Sequence, residues 1–278
     1  MVGLVVSEVV SRFLSHVEEV GKPNTIRTYR RFLVPFAKRF ANVPANALTS
    51  SQVEAYAKRP TWSDTTRSHT LKTIQTALRF AGVTLTLKTP RKSSRGIEAV
   101  VSEDDVNAIV DASRGDFGFF YRFLSLTGCR PAEAMSLRFD HVQVTQGVAI
   151  LSEHKTAQKT GKKRLIFLSD DALAIVERQR LRYASGHVFQ TSTRKAFTLN
   201  NACNILWRIN KRIGTKATLY GMRHTFATRL LAEGVPDAHV AALLGHASTA
   251  MLHKHYAHVT AHAGVLREAL RKSFGDNK

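Results

Sequence analysis

Through almost all of this chain the apolar residues recur every three or four positions, and they switch to a strand-like run at one place only. A chain patterned this way must bury helix faces against one another, with at most a small sheet inserted. The spacing predicts helices over 4–20 and 24–40. The second is capped by Asn24 or Thr25 and turns Tyr29, Phe32, Leu33, Phe36 and Phe40 inward. A short helix through Val53 and Tyr56 follows Leu48-Thr49-Ser50-Ser51 and stops before Pro60. A fourth opens at Ser63-Asp64, with Leu71, Ile74, Leu78 and Phe80 inward. The outward faces carry Arg27, Arg30, Arg31, Lys38 and Arg39 on the second helix, and Arg67, Lys72 and Arg79 on the fourth.

Residues 86–96, TLKTPRKSSRG, are polar and basic and contain a Pro and a Gly, a composition that builds no core and reads as a linker. It separates a helical domain at 1–90 from a second domain at 97–278. In the second, helices are expected over 102–113, 117–126, 131–138, 170–183, 200–213, 222–233, 236–244 and 248–259. The exception is Val148–Leu151 and Arg164–Leu168, short apolar runs around a Lys/Thr/Gly-rich stretch, which predict a hairpin with a basic tip. The expected fold class is mainly α with a small antiparallel β-sheet, in two domains.

Charge narrows the partner. Lys and Arg number 41 against 21 Asp and Glu, a net +20, and the pI is about 10.5. Residues 1–96 alone hold sixteen cations against five carboxylates. Such an excess fits a polyanion, either nucleic acid or an acidic membrane face. With 44% hydrophobic residues this is no disordered basic tail. Cys129 and Cys203 stand far apart with no CxxC, which excludes a disulfide scaffold and a zinc ribbon and makes a reducing compartment the expectation. No 18-residue apolar run occurs, and the Val2–Val10 stretch lacks the flanks of a signal peptide. A soluble, cytoplasmic protein is expected.

Three segments hold candidate chemistry. In Thr127-Gly128-Cys129-Arg130-Pro131-Ala132-Glu133, Pro131 suits a first helical position and Arg130 sits where unpaired backbone N–H groups favour an anion. An Arg130–Glu133 ion pair that merely fixes the helix start is the alternative. The second segment, His154 to Arg164, is a loop carrying Lys155, Lys159, Lys162 and Lys163 that suits phosphate or a DNA groove, or simply blunts a hairpin end. The third, residues 219–258, places Tyr220, Arg223 and His224 at a helix start, His246 in a Gly245 turn, and Tyr256 in a last helix where it could also be a plain core residue. His253, His255 and His258 lack a carboxylate or Cys companion, so no metal site is assigned.

The order TGxRxxE…L, a lysine hairpin, RHTFAT, LLGH and a Tyr ten residues later resembles the tyrosine recombinase (phage integrase) family over nearly the whole chain. The resemblance implies site-specific cutting, exchange and rejoining of DNA through a 3′-phosphotyrosyl intermediate, without metal or other cofactor. Carried over by position, Tyr256 is the nucleophile, Arg130 and Arg223 hold the phosphate oxygens, and His246 hydrogen-bonds one of them. Lys155 or Lys159 protonates the departing 5′ oxygen; Lys155 closes a strand, Lys159 has the more compact spacing. Glu133 supports Arg130. Tyr220 stands where the family usually has His, and is expected to support the phosphate or Tyr256; a packing role is the alternative. The resemblance further implies a 1–90 core-binding domain that contacts DNA through Arg27, Arg30, Arg31, Arg67 and Lys72, with Lys162 and Lys163 contacting it from the hairpin. The two domains would close as a clamp on double-stranded DNA with paired inverted half-sites, and the protein would assemble there as a homo-tetramer. The absence of an arm-binding extension before residue 1 leads to the expectation of short, simple sites. Residues after Val259 would form a terminal helix docking on a neighbour or on its own chain. Type IB topoisomerase-like relaxation and DNA binding without catalysis are the rival readings.

Overall fold

A computed structural model describes residues 3–90, 100–152, 163–246, 248–250 and 252. The chain divides into two compact units, Met1–Ser94 and Arg95–Lys278.

The first unit is a four-helix bundle: α1 (Val6–Val20), α2 (Pro23–Arg39), α3 (Ser50–Ala57) and α4 (Asp64–Phe80). Its core joins Val9, Phe13, Leu33, Phe36, Val53, Ile74 and Leu78 from all four. Helix α3 starts at Thr49, whose hydroxyl accepts from the Gln52 N–H while the Gln52 side chain accepts from the Thr49 N–H. Two details differ from expectation. The cap of α2 is Lys22, without a side-chain bond, because Pro23 at the first helical position already presets the backbone and needs no donor satisfied. Phe80 is partly exposed rather than inward: as the last residue of α4 it lies over the rim of α1, edge-on to Phe13 and stacked on His16.

The second unit is built around α6 (Phe117–Thr127), whose Phe117, Phe120, Tyr121, Phe123 and Leu124 are wholly buried. Around it stand α5 (Glu103–Asp111), α7 (Pro131–Ser136), α8 (Asp170–Tyr183), α9 (Leu199–Ile213), α10 (Gly221–Ala232) and α11 (Asp237–Leu244). The expected hairpin is present as β2 (Val148–Leu151) and β3 (Arg164–Phe167), with Leu151 opposite Arg164. A further strand, β1 (Val142–Gln143), pairs antiparallel with β2 and makes a sheet in the order β1-β2-β3. Two residues are too few to show a period, so β1 carries no signature in the sequence. A smaller core of Phe226, Ala227, Leu231, Val240, Leu244 and Leu252 joins α10 to α11. The expected helix at 248–259 lies mostly outside the described residues. Among the described residues, no helix is long and apolar enough to cross a membrane.

Candidate active site

The site begins where α6 ends. Gly128 closes that helix in the left-handed region, φ 57°, and a Cβ there would lie 2.4 Å from a ring carbon of Phe226. Both the backbone conformation and the close approach of α10 therefore demand glycine. The turn lets Arg130 cap α7, with Pro131 following as the first helical residue. One turn on, the buried Glu133 reaches back: its carboxylate accepts the Arg130 backbone N–H at 2.9 Å and the Arg130 guanidinium at 2.7 Å. The sequence left open whether Arg130 meets an anion or Glu133. The structure shows the ion pair, with the Arg130 side chain still 23% exposed.

A second guanidinium arrives from the sheet. Arg164 opens β3 and is only 5% exposed. Its Nε stands 3.4 Å from Glu133, its Nη2 donates to the Leu243 carbonyl at 2.9 Å, and its Nη1 donates to the Leu165 carbonyl. Leu243 belongs to the last turn of α11, and Gly245 ends that helix at φ 66°. A Cβ on Gly245 would fall 2.7 Å from the Arg164 guanidinium carbon. The turn thus accommodates a side chain packed flat beneath it. His246 follows, half-buried, with its N–H donating to the Ala241 carbonyl at 2.9 Å.

Arg223, in the first turn of α10, completes the junction. It is 7% exposed and donates to the carbonyls of Gly128 at 3.0 Å and Leu244 at 2.8 Å. One planar side chain thereby ties the turn before Arg130 to the turn before His246. Arg130, Glu133, Arg164, Arg223 and His246 converge from four separate chain segments.

The electrostatics follow from that geometry. Burial alone would raise the Glu133 carboxyl, but the Arg164 charge and the Arg130 hydrogen bonds outweigh it and hold the group below the usual carboxylate range. Burial pushes the Cys129 thiol up to about 12, so it stays protonated as a packing residue. With three guanidiniums and one carboxylate, the junction is a net positive, partly desolvated place that favours an anion presenting paired oxygens, such as a phosphate.

Other expected residues fall elsewhere. Tyr220 caps α10 with half its surface exposed and makes no side-chain cap hydrogen bond. Lys163 is exposed immediately before β3. Lys155, Lys159, Lys162, Tyr256, His253, His255 and His258 lie outside the described residues. In the first unit Arg27, Arg30, Arg31 and Lys72 are exposed, but Arg30 pairs with Glu18 at 2.8 Å and Arg31 lies over the Phe32 ring. Arg67 is partly buried and pairs with Asp64 at 3.0 Å. The residue missed was Arg164, which the sequence puts where the basic loop meets the second strand and to which no role in the site was given. A signal existed: strand alternation puts residue 164 on the same face as the buried Ile166.

Comparison with known proteins supplies the family and the fold. The profile of the phage integrase family matches residues 99–262. The tyrosine recombinase XerA of Thermococcus kodakarensis is 24% identical over 250 residues, covering 87% of this chain and 88% of the relative. Among solved structures, the Tn1549 transposon integrase in complex with a circular intermediate DNA superposes with a TM-score of 0.77 at 17% identity, covering 97% of this chain and 99% of that one. A lambda integrase tetramer bound to a Holliday junction gives 0.71 at 18% identity, covering 88% and 78%. Matched over more than half its length by one family, the chain belongs to the phage integrase family, the tyrosine recombinases, and so to the enzymes of site-specific DNA recombination.

Proposed function

We propose that this protein cuts, exchanges and rejoins DNA strands through a covalent bond between Tyr256 and a 3′ phosphate. The observation that carries the reading is the junction itself, in which Glu133 holds Arg130 while the backbone carbonyls of Gly128 and Leu244, one before Arg130 and one before His246, hold Arg223. Tyr256 gives up its phenolic proton to solvent and its oxygen attacks phosphorus, the bond to the 5′ oxygen breaks, and that oxygen keeps the electron pair and takes a proton from Lys155 or Lys159. An incoming 5′ hydroxyl reverses the step and releases the tyrosine. One phosphodiester is exchanged for another, so no ATP is consumed.

Phosphoryl transfer asks for positioning and for stabilisation of charge on the non-bridging oxygens. Two guanidiniums supply that charge without a metal ion, each worth roughly 3–4 kcal/mol by analogy with single oxyanion donors. A phenol with pKa about 10 is a poor nucleophile at neutral pH, and their positive field favours its ionised form. His246 would donate to a phosphate oxygen and Tyr220 would support it. The first unit adds exposed cations that attract the duplex. In keeping with the lambda integrase tetramer on a Holliday junction, four copies would assemble on two paired sites, each with inverted half-sites. Integration or excision of a mobile element, in the cytoplasm of a bacterial or phage system, is the expected outcome.

The test is covalent capture. The protein is mixed with a pooled library of nicked duplexes without added metal, denatured in detergent, and the attached DNA is sequenced. Attachment that disappears in Tyr256→Phe supports the reading and identifies the target. Tight binding without attachment in the unaltered protein overturns it in favour of DNA binding alone.

A further inference from the structure

We infer that Arg164 is a positioning residue: it holds the Glu133 carboxylate and the Leu243–His246 turn against one another, and so sets Arg130 and His246 at one phosphate-binding edge. The inference deepens the proposed function and rests on it for the identity of the ligand, a DNA phosphodiester. Its geometry stands alone. A single side chain, 5% exposed, touches three segments of the junction: Glu133 after the first arginine, its own strand at the base of the hairpin, and the turn carrying His246. Arg164 meets Glu133 and Leu243 across 31 and 79 residues of sequence, so it joins segments that the chain itself keeps far apart. A side chain at position 245 would displace its guanidinium.

The consequence is electrostatic as well as steric. Glu133 faces Arg130 on its own helix cap, Arg164 from β3 and the Cys129 thiol, with Arg223 and His246 completing the junction from α10 and the α11 turn. Arg164 is the strongest of the influences holding Glu133 ionised against its burial. Removing that charge raises the Glu133 pKa, so the carboxylate protonates, and releases Arg130, at higher pH than in the native protein.

Two readouts test this on the full chain. The first is independent of activity: carboxyl NMR titration of Glu133 together with amide hydrogen exchange at 243–246. In Arg164→Met, Glu133 should titrate at higher pH and exchange in the turn should rise about tenfold or more, with the 1–90 bundle unchanged. Arg164→Lys keeps the charge but not the fork, so the titration should stay near native while the turn still loosens; it also serves if the Met variant does not fold. The second readout is single-turnover formation of the covalent product against pH. Arg164→Met should lose about 10–100-fold in rate, keep its DNA affinity within a few-fold, and move the acid limb upward. In a Glu133→Gln background the limb should no longer respond to Arg164, which separates Glu133 from His246. An unmoved Glu133 titration and unchanged exchange overturn the inference. If the unaltered protein forms no covalent product, the proposed function fails and the first readout still decides Arg164.

Discussion

The same residue type does opposite work in the two units. In the first, most of the candidate DNA-contacting arginines stand on the surface: Arg30 is 57% exposed and its pair with Glu18 lies in water. In the second, Arg164 and Arg223 are 5% and 7% exposed, and backbone carbonyls hold both. A surface pair contributes about 0–1 kcal/mol and is screened by salt. A buried guanidinium stripped of its partner leaves an uncompensated charge at a cost of about 3–5 kcal/mol. Exposed cations therefore supply attraction that tolerates loss, whereas buried ones supply geometry that does not.

The largest expected contrast is catalytic. Arg223→Ala should lower covalent product formation by at least about 10²–10³-fold, the scale for one missing transition-state donor, while Arg27→Ala leaves single-turnover cleavage at saturating DNA within a few-fold. Equal losses in the two variants would erase the distinction between units.

Stability gives the next contrast. Glu133→Ala leaves Arg164 buried without its carboxylate and should cost about 3–5 kcal/mol, against less than about 1 kcal/mol for Asp64→Ala on the surface of α4. Thermal melts of both variants measure the difference. The pH dependence has a defined sign. The folded Glu133 pKa is depressed, so its contribution is fully present above its unfolded value of about 4.3 and is lost as pH falls through the lower folded value.

Binding should separate the exposed cations from one another. Arg27→Ala and Lys72→Ala should each reduce the slope of log affinity against log salt by about 0.9 for every phosphate left unneutralised. Arg30→Ala should reduce it less, because Glu18 already neutralises that guanidinium. A salt titration on one duplex would rank them.

The mildest contrast is chemical. Exposed Cys203 should be alkylated readily at neutral pH, while Cys129, buried and with its thiol near 12, should react only on unfolding. Mass spectrometry after timed alkylation distinguishes the two.

Much of this molecule was legible in order but not in depth. Helical spacing located α1, α4, α6, α8 and α10 to within a few residues, because each buries a stripe long enough to repeat. The apolar runs at Val148–Leu151 and Arg164–Phe167 announced the hairpin for a related reason. The motif order also marked Arg130, Arg223 and His246 in advance, and the structure brings the three together. Phe80 misled because periodicity does not know where the neighbouring helix ends.

By itself, then, the sequence determined the helical character, the position of the hairpin, the excess of positive charge and the order of the chemical segments, all of which depend on residues near one another in the chain. Tertiary structure alone decided which guanidiniums would be desolvated, why positions 128 and 245 must be glycine, and that Arg164 would lie under the His246 turn. Burial and the strength of a charge pair depend on what the fold brings close: Arg223 meets the Gly128 carbonyl across 95 residues. No local pattern of side chains encodes that distance.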